Sequence, residues 1–283
     1  MLEWDQTIGG YRTRLTESGA GAPVLLIHGS SIAVDARLTW FRLVPELEKR
    51  ARVITYDQPG FGRSDVPGYL DRRARAAHAR ALVEALDLHD VTVVGHSEGG
   101  YVASRLAIDC PDRIRGLVIV TSGGTAPSLG GQRDAAWIAA SERAYDYRTR
   151  AVDEDTFVRT EGHLRHGTDP AFEAVLRENF RVAQASGNRE AFLSRARAMS
   201  GYTGYTAIQE ATLLPFLPSL ALPSLLIWGS RDETVPVARG QALQALIPGA
   251  DFHALDAGHW VMHEQPTEFA SLLIDFLERN SPR

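Results

Sequence analysis

One serine, one histidine and one acid stand in settings that suit nucleophilic catalysis. Ser97 lies in Gly95-His96-Ser97-Glu98-Gly99, a G-x-S-x-G pattern. The apolar run Val91-Thr92-Val93-Val94 directly precedes it, and a helical run directly follows. A sharp strand-to-helix turn strains the backbone of its central serine and tolerates only small neighbours; Gly95, Gly99 and Gly100 are those neighbours. The helix beginning at Glu98 aims its unpaired N–H groups and positive dipole end at Ser97. A serine hydroxyl attacks carbonyls at neutral pH only with a base in reach. Of nine histidines, His259 has the setting of a catalytic loop. Asp256-Ala257-Gly258-His259-Trp260 follows a strand-like run over 252–255 and precedes the last helix, and Gly258 permits a tight turn. The base needs an acid to fix its tautomer and stabilise the imidazolium. Asp232, in Gly229-Ser230-Arg231-Asp232-Glu233, is expected in that role, with Glu233 as the alternative.

Acyl chemistry also needs donors for a developing oxyanion. One is expected to be the backbone N–H of Glu98. The other is expected from His28-Gly29-Ser30-Ser31, at Ser30 or else Ser31. An inward Glu98 carboxylate would oppose that charge, so it is expected to point away, partly stabilised by the helix N-terminus. His28 is read as a brace for the oxyanion loop, His96 as packing, and His163, His166 and His263 as solvated. No histidine pair has convincing metal spacing, and no cofactor is expected. Trp40, Trp137, Tyr145 and Phe180 are candidates for an apolar pocket, although core packing is the plainer role for each.

These residues need a scaffold. Apolar runs at 24–27, 53–56, 91–94, 117–120 and 225–228 are nearly continuous, as in strands buried on both faces of a parallel sheet. Helical patterns over 75–88, 98–110 and 269–277 alternate with them, which indicates an open, mostly parallel α/β sheet. From about 123 to 220 no strand is convincing; 135–147, 172–185 and 190–199 read as helix. Gly123-Gly124 with Pro127, and Pro215, Pro218 and Pro223, bound the stretch. The expected organisation is a core domain of 1–123 and 221–283 with a helical cap of 124–220. Such a cap roofs the strand ends, where ligands of open α/β sheets bind.

Composition narrows the partners. The chain has 283 residues, 44% hydrophobic and 23% charged, which suits one soluble α/β domain with an insertion. The net charge is −5 with signs mixed, and no basic block suggests nucleic acid. The basic stretch Arg72 to Arg80 is read as a solvated helix face. The single cysteine, Cys110, permits no intrachain disulfide and is read as a buried, inert thiol. The N-terminus lacks the pattern of a signal peptide, and no apolar run is long enough to span a bilayer. A cytoplasmic monomer or homodimer acting on a small molecule is expected.

With these motifs in place, the chain resembles α/β-hydrolases over nearly its whole length. The resemblance rests on Leu26-Ile27-His28-Gly29-Ser30, Asp57-Gln58-Pro59-Gly60-Phe61-Gly62-Arg63-Ser64, the segment around Ser97, Gly229-Ser230-Arg231-Asp232 and Gly258-His259-Trp260. It implies a core sheet of eight strands with a helical cap, and Ser, Asp, His is that family's chain order. Within the family the chain is most similar to meta-cleavage-product hydrolases, which split a C–C bond in ring-fission dienones. Ser30 after His28-Gly29, the stretch Trp40-Phe41-Arg42-Leu43-Val44-Pro45-Glu46-Leu47, and Trp260 carry that similarity. There are departures: Ser31-Ile32-Ala33 replaces a Gly-Pro-Gly run, His96 replaces an Asn, and Thr39 falls where an oxyanion-loop Asn is usual. Asn179 falls where a cap Arg holds the dienoate carboxylate, so the flanking Arg177 or Arg181 is expected to serve. The leading expectation is hydrolysis of an ester, thioester or lactone through an acyl-enzyme on Ser97. C–C cleavage of a dienone or β-diketone is the alternative, and a non-catalytic small-molecule binder on the same fold is the alternative of another class.

Overall fold

The apolar runs become the middle of one eight-stranded sheet, ordered β1-β2-β4-β3-β5-β6-β7-β8. The computed structural model describes residues 1–67, 70–144, 153–162, 164, 166–190 and 201–280. The strands are β1 (Leu2–Ile8), β2 (Tyr11–Ser18), β3 (Pro23–Ile27), β4 (Arg52–Tyr56), β5 (Val91–His96), β6 (Ile114–Val120), β7 (Ser224–Gly229) and β8 (Asp251–Leu255). From β4 to β8 all neighbours in this order are parallel; β1 and β2 join antiparallel at one edge. β5 and β7 are buried at every residue, which is why their sequences run apolar without alternation. The edge hairpin β1–β2 escaped the sequence reading, because its residues are largely polar and its outer strand is exposed. Gly9-Gly10, both at positive φ, turns it, and a Gly-Gly pair between two short alternating runs was the available signal.

Side chains leave the sheet alternately to two cores. Val24 and Leu26 of β3, Val118 of β6 and Ile227 of β7 enter one; Leu25, Ile27, Leu117 and Leu226 enter the other. The second core is closed by α3 (Arg72–Ala85) and α4 (Glu98–Asp109), through Leu82, Val83, Val102 and Leu106. The first is closed from the N-terminal half by α1 (Ala36–Trp40) and α2 (Val44–Leu47). Truncating any of these fully buried aliphatic side chains to Ala costs about 2–5 kcal/mol.

Between β6 and β7 the described residues fold as α5 (Gly131–Ala144), α6 (Glu154–Glu161), α7 (Pro170–Ala185), α8 (Gly201–Thr212) and a 3-10 turn, Leu214–Ser219. All lie inside the expected insertion of 124–220. The helix expected over 190–199 lies almost wholly outside the described residues, and α6 and α8 were not read from the sequence. After β7 come α9 (Val237–Gln244), α10 (Val261–Glu264) and α11 (Pro266–Arg279). Phe157 of α6 stacks on Phe180 of α7 at 4.9 Å, and both belong to the core that Leu26 and Ile227 build. α7 is amphipathic, with Phe172, Val175, Leu176, Phe180 and Ala183 turned inward at helical spacing.

Two expectations need correction here. Arg72 and Arg75 are not on a solvated face: they are 2% and 4% exposed, turned between α3 and α4. His263 is not solvated either; it is buried, and its Nε2 meets the Leu38 carbonyl at 2.9 Å. Burial pushes its pKa down to about 3. Cys110 is buried, as read. No helix among the described residues is long and apolar enough to cross a membrane.

Candidate active site

Ser97 occupies the turn from β5 into α4 with φ +53° and ψ −121°, a conformation that side chains rarely adopt. The turn is possible because its neighbours lack side chains. A Cβ on Gly95 would stand 2.3 Å from the Gly99 carbonyl, and one on Gly99 would stand 2.4 Å from that of Ile27. Ser97 is held at both ends: its N–H donates to Val120 at 2.9 Å, and the Ser122 hydroxyl donates to its carbonyl.

The expected base and acid meet. His259 Nδ1–H donates to Asp232 Oδ2 at 2.7 Å, which leaves Nε2 as the proton-accepting nitrogen. Asp232 is buried, and its other oxygen accepts from the Thr234 N–H at 2.8 Å, the Thr234 hydroxyl at 2.7 Å and the Val235 N–H at 2.8 Å. That full set fixes the carboxylate and assigns the contact with His259 to Asp232 rather than Glu233. The β7 turn approaches the histidine loop closely, since a Cβ on Gly229 would lie 2.0 Å from the Gly258 carbonyl. Burial disfavours the imidazolium of His259, but the charge and hydrogen bond of Asp232 outweigh it, and the pKa is raised above 6.5. The carbonyl of His259 accepts from His96 Nε2 at 3.0 Å and from the Thr121 hydroxyl at 3.1 Å. Burial, then the neighbouring His259, hold His96 neutral, well below its usual pKa. His96 therefore does more than pack: it ties the loop of the base to the end of β5.

The loop expected to carry the second oxyanion donor lies opposite. Gly29, Ser30, Ser31 and Ser97 line a common cavity of about 360 Å³ with Asp232 and His259. His28 braces this loop as anticipated, its Nε2 accepting from the Gln58 N–H at 2.9 Å and its Nδ1–H donating to the Gly29 carbonyl at 2.8 Å. Burial lowers its pKa to about 3, which keeps it neutral and out of proton transfer. Glu98 points away from the cavity, as expected, but not toward a helix N-terminus alone. Its carboxylate receives Arg72 Nε at 3.2 Å, Arg72 Nη2 at 3.0 Å and Arg75 Nη2, all buried.

Most of the side chains expected to contact substrate lie elsewhere. Trp260 lines the cavity, its Nε1–H donating to the Glu161 carbonyl at 3.3 Å. Trp40 is fully buried beside His96, with ring centroids 6.4 Å apart. The Thr39 hydroxyl turns back to the Asp35 carbonyl at 2.8 Å, within its own helix. Trp137 donates to the Thr234 carbonyl, and Phe180 is packed on Phe157. Arg177 and Arg181 are engaged at the surface by Glu154 and Asp155. Asn179 points inward, and its amide donates to the Ala33 carbonyl at 3.0 Å. Tyr145 and His163 lie outside the described residues; His166 contacts the Asp256 carbonyl. The sequence reading missed Thr160, Glu161, Arg231 and Thr234 as lining residues. Arg231 and Thr234 flank the expected acid, which was a usable signal. Thr160 and Glu161 sit on α6, which had none. Among the described residues no cluster suited to a metal ion is present.

Known proteins resemble this chain in sequence and fold. The family model described as alpha/beta hydrolase fold matches residues 22–266. A 2-hydroxymuconate semialdehyde hydrolase of Pseudomonas sp. (strain CF600) is 32% identical over 280 residues, covering 95% of this chain and 91% of that one. A 2-hydroxy-6-oxo-2,4-heptadienoate hydrolase of Pseudomonas putida is 29% identical over 284 residues, covering 95% and 94%. A crystal structure of a mutant meta-cleavage product hydrolase has the same fold, with a TM-score of 0.82 at 24% identity over 98% of each chain. This chain belongs to the α/β-hydrolase fold family.

Proposed function

We propose that this chain hydrolyses a carbon–carbon bond in a 2-hydroxy-6-oxo-dienoate or a similar vinylogous ketone, with Ser97 as nucleophile, His259 as base and Asp232 as its orienting acid. The observation that carries the reading is similarity along 95% of the chain to hydrolases named for such a dienoate and a semialdehyde. It takes precedence over the ester reading drawn from the motifs alone. Ketonisation first moves a proton to C5 and creates an electron sink. Ser97 Oγ then adds to the C6 carbonyl carbon while His259 Nε2 takes its proton. The N–H groups of Glu98 and Ser30 hold the oxyanion. Collapse breaks the bond from C6 to C5; its electron pair passes into the dienolate, which His259 protonates. Water, deprotonated by His259, cleaves the remaining ester at Ser97 and releases a carboxylic acid. Helices α5 to α8 act as the cap over this cavity, a role supported by Thr160 and Glu161 of α6 in its lining.

One observation favours ester, thioester or lactone hydrolysis on the same machinery. Asn179 stands where the resemblance implies a carboxylate-binding arginine, and it is spent on the Ala33 carbonyl. The dienoate reading then assigns the carboxylate to Arg231, the arginine among the described lining residues, whose Nε also meets the exposed Asp256 carboxylate at 3.2 Å. The test is turnover of a 2-hydroxy-6-oxo-dienoate, followed by loss of its dienol absorbance and by mass analysis of the two products. Formation of both acids by the wild type and not by Ser97→Ala is expected. Absence of turnover, with p-nitrophenyl esters cleaved, would transfer the assignment to ester hydrolysis. A folded protein that turns over neither, and takes no fluorophosphonate label, would transfer the assignment to a binding or non-hydrolytic role.

A further inference from the structure

An acid directly after a serine nucleophile is an electrostatic liability, because its own N–H is the donor meant to meet an oxyanion. The surroundings of Glu98 remove that liability and go beyond it. Arg72 grips the carboxylate with two nitrogens, and its Nη1 reaches Gln209 Oε1 of α8 at 2.9 Å. This pair alone neutralises Glu98 and fixes its side chain. Arg75 is then surplus. It gives one Nη to Glu98, while its Nε and Nη1 have no hydrogen-bond partner among the described residues, although it is 4% exposed. Hydrogen bonding does not account for so costly a buried cation. Its guanidinium lies 5.7 Å from the Phe61 ring centroid, and Phe61 lies edge-on to His28, 5.3 Å away, at the root of the oxyanion loop. The positive charge of Arg75 is felt at His28, where it adds to burial in disfavouring the imidazolium. Among the described residues the cluster thus sets two guanidiniums against one carboxylate, directly behind the expected oxyanion donors.

We propose that Arg75 is a positioning residue for the oxyanion site, acting through Glu98 so that the Glu98 N–H works beside a carboxylate held by two guanidiniums rather than by one. The inference rests on the reading of Ser97 as nucleophile, and not on whether an ester or a C–C bond is cleaved. The test measures the labelling rate of Ser97 by a fluorophosphonate, and kcat and KM for p-nitrophenyl butyrate, per mole of protein folded by calorimetry. Arg75→Gln is expected to lower kcat and the labelling rate roughly tenfold, with KM within about twofold. Arg75→Lys, which keeps the charge, is expected to regain most of that loss. The double variant Arg75→Gln/Glu98→Gln removes the carboxylate and keeps the Arg72 guanidinium, so its kcat is expected to exceed that of Arg75→Gln. If Arg75→Gln does not fold, the double variant is compared with the wild type, and labelling within about threefold is expected. A purely structural Arg75 would lower Tm and leave kcat and labelling of the folded protein unchanged, which overturns the inference. So does a double variant slower than Arg75→Gln, or, if that variant does not fold, one more than about tenfold below wild type. A wild type that takes no label at Ser97 removes the nucleophile reading and the inference together, whereas label without dienoate turnover removes only the C–C assignment.

Discussion

The two sides of the cavity are built differently. On the sheet side, each expected catalytic residue stands in a turn after a parallel strand, and hydrogen bonds hold the backbone of Ser97 and the side chains of Asp232 and His259. Asp232 takes four donors, and the carbonyl of His259 takes two. On the side of the inserted helices, the residues expected to choose the substrate are engaged elsewhere. Arg177 and Arg181 meet Glu154 at the surface, Phe180 is core, and Asn179 holds the Ala33 carbonyl. A strand end leaves little choice of direction, whereas a helix turns successive side chains by about 100°. Machinery is therefore readable from spacing, and selectivity is not.

The contrast can be broken by substitution, and the largest effects belong on the sheet side. Asp232→Asn keeps the shape but misplaces a proton on His259, and a fall in kcat of about 10³–10⁴ is expected in steady-state kinetics. The wild-type rate needs a neutral His259, so its acid limb is expected above pH 6.5, because Asp232 raises that pKa. Without the carboxylate charge the limb should shift to lower pH, and an unmoved limb would detach Asp232 from the base. Next comes Glu98→Gln. It removes the buried carboxylate that Arg72 and Arg75 share, and a loss of about 3 kcal/mol or more is expected in denaturant unfolding. On the opposite side, Arg231→Met is expected to raise KM for a dienoate about tenfold, leave kcat nearly unchanged, and not affect a neutral ester. Equal effects on both substrates would remove Arg231 from carboxylate binding. The smallest effect concerns two facing buried acids, Asp35 and Asp57. Burial first, and the neighbouring Asp35 second, push the Asp57 carboxyl up to about 7. Its folded-state pKa is above the unfolded value, so its stabilisation is complete below about pH 4 and lost as pH rises through about 7. Tm is expected to fall by a few degrees between pH 5 and pH 8 on this account. Asp35→Asn should flatten that slope.

The five buried strands and α4 were legible because a parallel sheet needs continuous apolar runs and the elbow needs glycines at fixed places. The contact of His259 with Asp232 followed from loops at neighbouring strand ends. Arg72 and Arg75 were misread, because a guanidinium paired with a distant Glu98 looks like any surface charge in one dimension. His263 was misread for the same reason, since its partner, the Leu38 carbonyl, lies far away in sequence. The hairpin β1–β2 was missed because an edge strand with one solvated side carries little apolar signal.

The anchoring of the His259 carbonyl by His96 and Thr121 has a consequence for durability. The backbone of the base is tied to the ends of β5 and β6 and its ring to Asp232, so the loop is expected to open only together with those strand ends. Amide protons of the His259 loop should then exchange with solvent nearly as slowly as those of the sheet, and heat should destroy activity and fold in one step.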